Sequence, residues 1–191
     1  MFNHKKLDEL ELMYKNFKRV ESTLKFIINK MSPYIVKRGE AIVTDQTIQK
    51  DPIEFTAKLL ELKKEMDEMV SGSFQNDIRF KKSRDVSFSE FMNKCDFSPH
   101  YIASYCDNEL KKGLKGVTEQ ETESRLDAII RLFCCLHGRD VFIKSYMKFL
   151  ASRLLNKTFL SQEAEEIMLS KLKVECGHNT TNKMSQMFTD L

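Results

Sequence analysis

The residues with the widest chemical reach in this chain are Cys134, Cys135 and His137, in the run CCLH. Thiolate and imidazole are the usual ligands of zinc, and neighbouring cysteines also invite a redox reading. The spacing argues against both uses. Adjacent positions on a helix diverge by about 100°, so the two cysteines cannot chelate as a C-x-x-C loop does, and no second ligand pair lies nearby in sequence. They are expected to serve as small hydrophobes, buried or half-buried. Cys176-Gly177-His178 reads as the end of a helix, with no third group to orient a Cys/His dyad. There is no glycine-rich phosphate loop, pair of catalytic carboxylates or zinc-protease helix motif. The expectation is therefore a protein that is not an enzyme and needs no cofactor or metal.

A second candidate is electrostatic. Between Arg131 and Lys157 six basic residues (Arg131, Arg139, Lys144, Lys148, Arg153, Lys157) face a single acid, Asp140. Such a strip suits nucleic acid. The preceding segment, however, carries Glu119, Glu121, Glu123 and Asp127 against one Arg125, a natural complement if two helices pack side by side. The aromatics of this region fall on the apolar sectors of their helices, which leaves no stacking platform of the kind single-strand binders use. The whole chain has 31 basic and 28 acidic residues, net +3, so it has no molecule-wide field that would call for nucleic acid.

The third candidate is Arg153. On a helical wheel Phe142, Tyr146, Phe149, Leu150 and Leu154 share one apolar sector, and Arg153 lies inside it. A guanidinium there loses its hydration unless a carboxylate replaces the water. Lys171 and Glu175 intrude similarly on the next helix, so a buried Arg153–Glu175 pair is the simplest arrangement. The alternative is that Arg153 snorkels to the helix edge along its aliphatic stem.

These residues need helices to position them, and the composition supplies helices. Fourteen Phe and ten Met stand against three Pro and six Gly, which favours long helices and an all-α fold. Residues 7–43 carry a stripe at helical spacing that includes Leu10, Tyr14, Phe17, Leu24 and Ile27, with a break or kink expected near Met31 because of Pro33. Asp51-Pro52 is a strong helix start, and Phe55, Leu59, Leu62, Met66 and Met69 form the inner face of the helix that follows. Ser71-Gly72 marks either its end or a kink. Phe74 to Asn93 is helical again. Ser98-Pro99 opens a helix ending at Lys111-Lys112-Gly113, with Ile102, Tyr105, Cys106 and Leu110 inward. Thr118 and Glu121 make a capping box for a helix ending at Gly138. Asp140 and Ser161 are the expected N-caps of the next two helices, Gly177 the stop of the second, and Thr180 or Thr181 the start of a last one.

The five cysteines are odd in number and form no spaced pairs, which points to free thiols in a reducing compartment. No apolar run reaches the roughly 20 residues needed to cross a bilayer, and the opening MFNHKKLDEL has no hydrophobic centre of a leader. An intracellular protein away from membranes is expected.

The block DVFIKSYMKFLASRLL, followed by SKLKVECG and MFTDL, resembles the cullins, the scaffold subunits of multi-subunit ubiquitin ligases. DPIEFTAKLLELKKEMDEMV, SFQNDIRF, FSEFMNK and SPHYIASYCDNELKKG resemble them too, and LELMYKNF more loosely, so the similarity covers nearly the whole chain. It implies that residues 1–97 form the end of a cullin-repeat-like helical stalk. Residues 98–191 would then form a bridging helix and the first part of a four-helix bundle. It implies an internal piece of the family's architecture, without the first repeat that binds an adaptor, the α/β region that holds the RING-box protein, or the winged-helix segment with the modified lysine. The implied role is a non-catalytic scaffold segment, in cytoplasm or nucleus, that keeps the substrate-receptor end apart from the RING and ubiquitin-charged enzyme end. Its implied partners are the RING-box protein, substrate adaptors and cullin regulators, mostly through regions outside this chain. Two alternatives stand beside it: a free-standing basic helical module binding nucleic acid or an acidic protein, and self-association through the incomplete bundle.

Overall fold

The computed structural model describes residues 7–189, and within them all regular structure is helical. Residues 1–6, part of the opening considered above, and Asp190 and Leu191, which close the MFTDL block, lie outside the described residues. The helices are α1 (Leu7–Phe17), α2 (Glu21–Val43), α3 (Pro52–Gly72), α4 (Ile78–Met92), α5 (Ser98–Asn108), α6 (Glu119–Phe133), α7 (Arg139–Leu155), α8 (Gln162–Cys176) and α9 (His178–Thr189). A short 3₁₀ turn spans Ile48–Lys50, and a π-helical turn, Glu109–Gly113, extends α5. The described residues form two units: 7–50 with 58–95, and 51–57 with 96–189.

In the first unit α2 runs along α4 for most of its length, and α1 packs on α2. Of the break or kink expected near Met31 there is no break: the chain divides instead at residues 18–20, and α2 continues through Pro33. The reason is burial on both sides of it. Leu24, Ile27 and Met31 before Pro33, and Ile35, Val36 and Val43 after it, are all buried. Each such side chain contributes about 1.5–3 kcal/mol, so together they outweigh a proline cost of about 3 kcal/mol. Ser32 Oγ also shares a 2.8 Å hydrogen bond with Ser87 Oγ of α4. α3 starts as its sequence says, with the Asp51 carboxylate accepting the Ile53 N–H at 2.8 Å, and ends at Gly72. One buried charge escaped the periodicity: Lys63 Nζ lies 2.9 Å from Asp67 Oδ1 and 3.1 Å from Asp85 Oδ1, with Arg84 closing a four-charge ring on the same two acids.

Asp77 ties α1 to the start of α4. It caps α4 by accepting the Arg79 N–H at 2.9 Å, pairs with the Arg79 guanidinium, and accepts the Tyr14 hydroxyl at 2.9 Å. Tyr14 stands edge-on to Phe74 and Phe80, whose rings stack 4.1 Å apart. The Arg79 hydrogen bonds, with smaller help from Tyr14, outweigh partial burial and lower the Asp77 carboxyl from 3.8 to about 2. A depressed folded-state pKa adds stability that is complete above the unfolded value and lost as pH falls toward the folded one. The first unit is therefore expected to lose stability between about pH 4 and pH 2, and Asp77→Asn to flatten that limb in an acid titration followed by circular dichroism. An unchanged acid limb in the variant would show that other carboxylates set it.

In the second unit α5 packs along α7, α6 against α8, and α9 against α8 and α7. Ser161 Oγ accepts the Ala164 N–H at 3.0 Å as expected, and Thr118 Oγ1 accepts the Glu121 N–H at 3.3 Å, which is the cap half of the expected capping box, while the Glu121 carboxylate accepts from Arg125. Three helix boundaries differ from expectation: the end of α6 and the starts of α7 and α9. α6 stops at Phe133, short of Gly138, because Arg139 donates to the Cys134 carbonyl at 2.6 Å and the Leu136 carbonyl at 3.3 Å, replacing bonds a continuing helix would make. Asp140 sits in the first turn of α7 and pairs with Lys144 at 3.4 Å; Gly138 holds the cap position. Gly177, at φ +78°, ends α8, and α9 opens at His178. The Thr180 and Thr181 hydroxyls lie within α9 and donate back to the Cys176 and Gly177 carbonyls.

Candidate functional site

Arg153 and its partners are the most concentrated polar chemistry in the second unit. The guanidinium is wholly buried, 0% exposed, and so is the carboxylate of Glu165. Arg153 Nε donates to Glu165 Oε1 at 2.5 Å and Nη2 to Glu165 Oε2 at 2.8 Å, a two-pronged pair. Nη1 donates to Asp107 Oδ1 at 2.6 Å, and the other Asp107 oxygen accepts from Lys111 Nζ at 2.8 Å. The Tyr146 ring lies 5.4 Å below the guanidinium carbon, and its hydroxyl is 3.5 Å from Glu165 Oε2. Two cations and two anions close the cluster at zero net charge, which is the condition for carrying ions inside a bundle.

Burial works against the charge on Arg153, but the hydrogen bonds and field of Glu165 prevail and hold its pKa above the usual arginine value. Burial, with the Glu165 charge added, pushes the Tyr146 hydroxyl well up, and burial pushes the neighbouring Cys106 thiol up. What this arrangement does is mechanical: fixed charges pin the end of α5, the last turn of α7 and the first turn of α8 to one point.

Of the two predicted members of the pair, Arg153 is in place and Glu175 is not. Glu175 is exposed near the end of α8, where its charge helps to raise the pKa of the Cys134 thiol. The short loop over residues 156–161 brings the last turn of α7 beside the first turn of α8, so Arg153 meets Glu165, while Glu175 is ten residues, about 15 Å of helix, farther on. A signal for Glu165 was present. The buried face of α8 is Ala164, Glu165, Met168, Leu169 and Leu172. Counting Leu169 centres that stripe near Leu172, with Glu165 inside it, whereas a stripe that includes Ile167 centres near Lys171 and Glu175. Asp107 is missed for a similar reason, since it shares its side of α5 with the buried Ala103 and Leu110.

The acidic residues of α6 do not meet the basic strip of α7. Lys171 of α8 takes Asp127 at 2.5 Å and Glu123 at 3.4 Å, and Arg125 takes Glu121 at 2.7 Å within α6. The physical cause is the packing order, with α6 on α8 and α7 on α5. The cysteines of the CCLH run diverge. Cys135 is buried and donates to the Arg131 carbonyl at 3.4 Å, while burial and Glu175 push the Cys134 thiol up to about 12. Among the described residues no group of three or more His, Cys, Asp or Glu is arranged to hold a metal ion, and no helix is long and apolar enough to cross a membrane.

Comparison with known proteins bears on the whole chain. The family model described as the cullin alpha solenoid domain matches residues 1–191. Cullin-3A of Arabidopsis thaliana is 38% identical over 191 residues, all of this chain and 26% of that protein. Cullin-3 of Dictyostelium discoideum is 39% identical over 191 residues, all of this chain and 25% of that protein. Cullin-4A of Homo sapiens is 38% identical over 192 residues, again all of this chain and 25% of that protein. The chain thus spans about a quarter of the length of these relatives.

Proposed function

Since the chain belongs to the cullin family, we propose that it is a rigid, non-catalytic scaffold segment of a cullin-RING ubiquitin ligase, acting inside the cell, in cytoplasm or nucleus. In this reading residues 1–97 close the helical stalk and residues 98–191 begin the four-helix bundle. The segment keeps the substrate-receptor end and the RING and ubiquitin-charged enzyme end at a set separation, so that transfer occurs across a fixed gap. The adaptor and the RING-box protein bind mostly through parts of the larger protein that this chain does not span.

The observation that carries the reading is the family match over every residue, joined to a helical fold whose second unit is pinned by the neutral Arg153 cluster. A spacer must resist bending, and helices locked by buried, directional bonds leave few low-energy hinges. The test is a chimera of Dictyostelium discoideum Cullin-3 in which this chain replaces the matching quarter. Ubiquitin-chain assembly by the reconstituted ligase is expected to persist, while the isolated chain leaves a ubiquitin-charged enzyme undischarged. A folded chimera without ligase activity, or discharge by the chain alone, would overturn the proposal.

A further inference from the structure

The outward side of α7 carries a pattern that the bundle interior does not use. Val141, Ser145, Lys148, Ser152 and Leu155 follow at alternating four- and three-residue steps, which stacks them in one stripe about 21 Å long. Its two apolar ends are open to solvent, Val141 at 43% and Leu155 at 76% exposure. Lys148 and Ser152 between them are exposed as well, and Lys144 borders the stripe with its side chain 74% exposed.

Beside this stripe α5 and α7 build an aromatic ledge. The exposed His100 lies 3.1 Å from Ser145 Oγ, and its ring centre is 5.8 Å from that of the half-buried Phe149. Phe97, 60% exposed, stacks on Tyr101 at 5.9 Å. Within residues 131–157 Phe133, Phe142 and Tyr146 are buried as expected and Phe149 is half-buried; the exposed aromatics of the ledge, Phe97 and His100, come from the start of α5. Asp140, paired to Lys144, is the one acid of α7, so the face is basic between two apolar ends.

We propose that this face of α7 and α5 is a docking surface for an acidic amphipathic helix of a partner protein. Heptad steps fit a helix laid alongside, whose apolar stripe meets Val141 and Leu155 at its ends and whose carboxylates meet Lys144 and Lys148 at its middle. Its aromatic or aliphatic edge rests on the ledge of Phe97 and His100. Charge complementarity selects an acidic occupant. A single nucleic-acid strand fits less well: the ledge of Phe97 and His100 gives bases a face to stack on, but the stripe itself ends in aliphatic side chains and offers only two lysines to the phosphates. This inference does not rest on the scaffold reading, since the face is described from the chain's own residues.

The experiment uses the ¹⁵N-labelled chain and a synthetic helical peptide of about four turns with leucines at heptad positions and glutamates flanking them. A scrambled peptide of the same composition and an oligo-dT strand are the comparisons. Chemical-shift changes are expected at residues 141–155 and 97–101, with binding at least tenfold weaker for the scrambled peptide and for the K144E/K148E variant. V141D/L155D, which alters exposed residues, is expected to abolish binding with an unchanged circular dichroism spectrum. Equal binding of the scrambled peptide, shifts confined to other residues, or tighter binding of oligo-dT at these positions would overturn the proposal. So would concentration-dependent shifts here without peptide, which would make a second copy of the chain the occupant.

Discussion

Arg153→Ala is expected to lower the stability of the second unit by about 3–5 kcal/mol, because it leaves the carboxylates of Glu165 and Asp107 facing one another without their shared cation. Domain stabilities are of the order of 5–15 kcal/mol, so the loss is a large share of the total. The chain has no tryptophan, so unfolding is best followed by far-ultraviolet circular dichroism in urea. With a urea dependence of about 1–3 kcal/mol/M, the midpoint for this unit should fall by more than about 1 M. Lys148→Ala, one turn away on the exposed side, should shift stability by less than about 0.5 kcal/mol. Arg153→Met with Glu165→Met should recover part of the loss, since it removes both buried charges of the two-pronged pair and leaves Asp107 with Lys111. If Arg153→Ala and Lys148→Ala keep the same midpoint as the parent, the buried-cluster account fails.

Gly39→Ala is the second large expected effect, and its sign opposes the ordinary rule. Inside a helix this change normally stabilises by about 1 kcal/mol. In α2, however, a Cβ at position 39 would fall far inside van der Waals contact of the Phe91 ring atoms. Phe91 is fully buried and packs on Phe88 with ring centres 5.0 Å apart, so the ring has nowhere to swing. Overpacking of this kind costs about 1–3 kcal/mol. Hydrogen exchange should report the loss as faster exchange in α2 and α4 with the second unit unaffected. A variant as protected as the parent would show that α2 and α4 can separate slightly at no cost.

Much of the local structure was legible from residue types alone. Asp51-Pro52, Thr118, Ser161 and Gly177 act where the sequence places them, because a cap depends on backbone groups within one turn of itself. The buried stripes of α3 and α6 follow from their period for the same local reason. The all-α fold follows from a composition poor in glycine and proline and rich in large apolar residues at helical spacing. The family was legible in ordered blocks such as DVFIKSYMKFLASRLL, and the match over residues 1–191 bears that out.

Which partners meet was decided by tertiary structure. The sequence marked Arg153 as a charge needing a carboxylate, but the angle of each residue on its own wheel does not say how high along a neighbouring helix the contact falls. The turn over residues 156–161 set that height and put Glu165, not Glu175, within reach, while α5 packing on α7 supplied Asp107. The same packing order sent the acids of α6 to Lys171 rather than to the basic strip of α7. Pro33 marks the limit from the other side. A local rule predicted a break or a kink near Met31, and the helix does not break there because side chains are buried on both sides of the proline: the free energy of a packed face sums over many residues and that of one missing hydrogen bond does not.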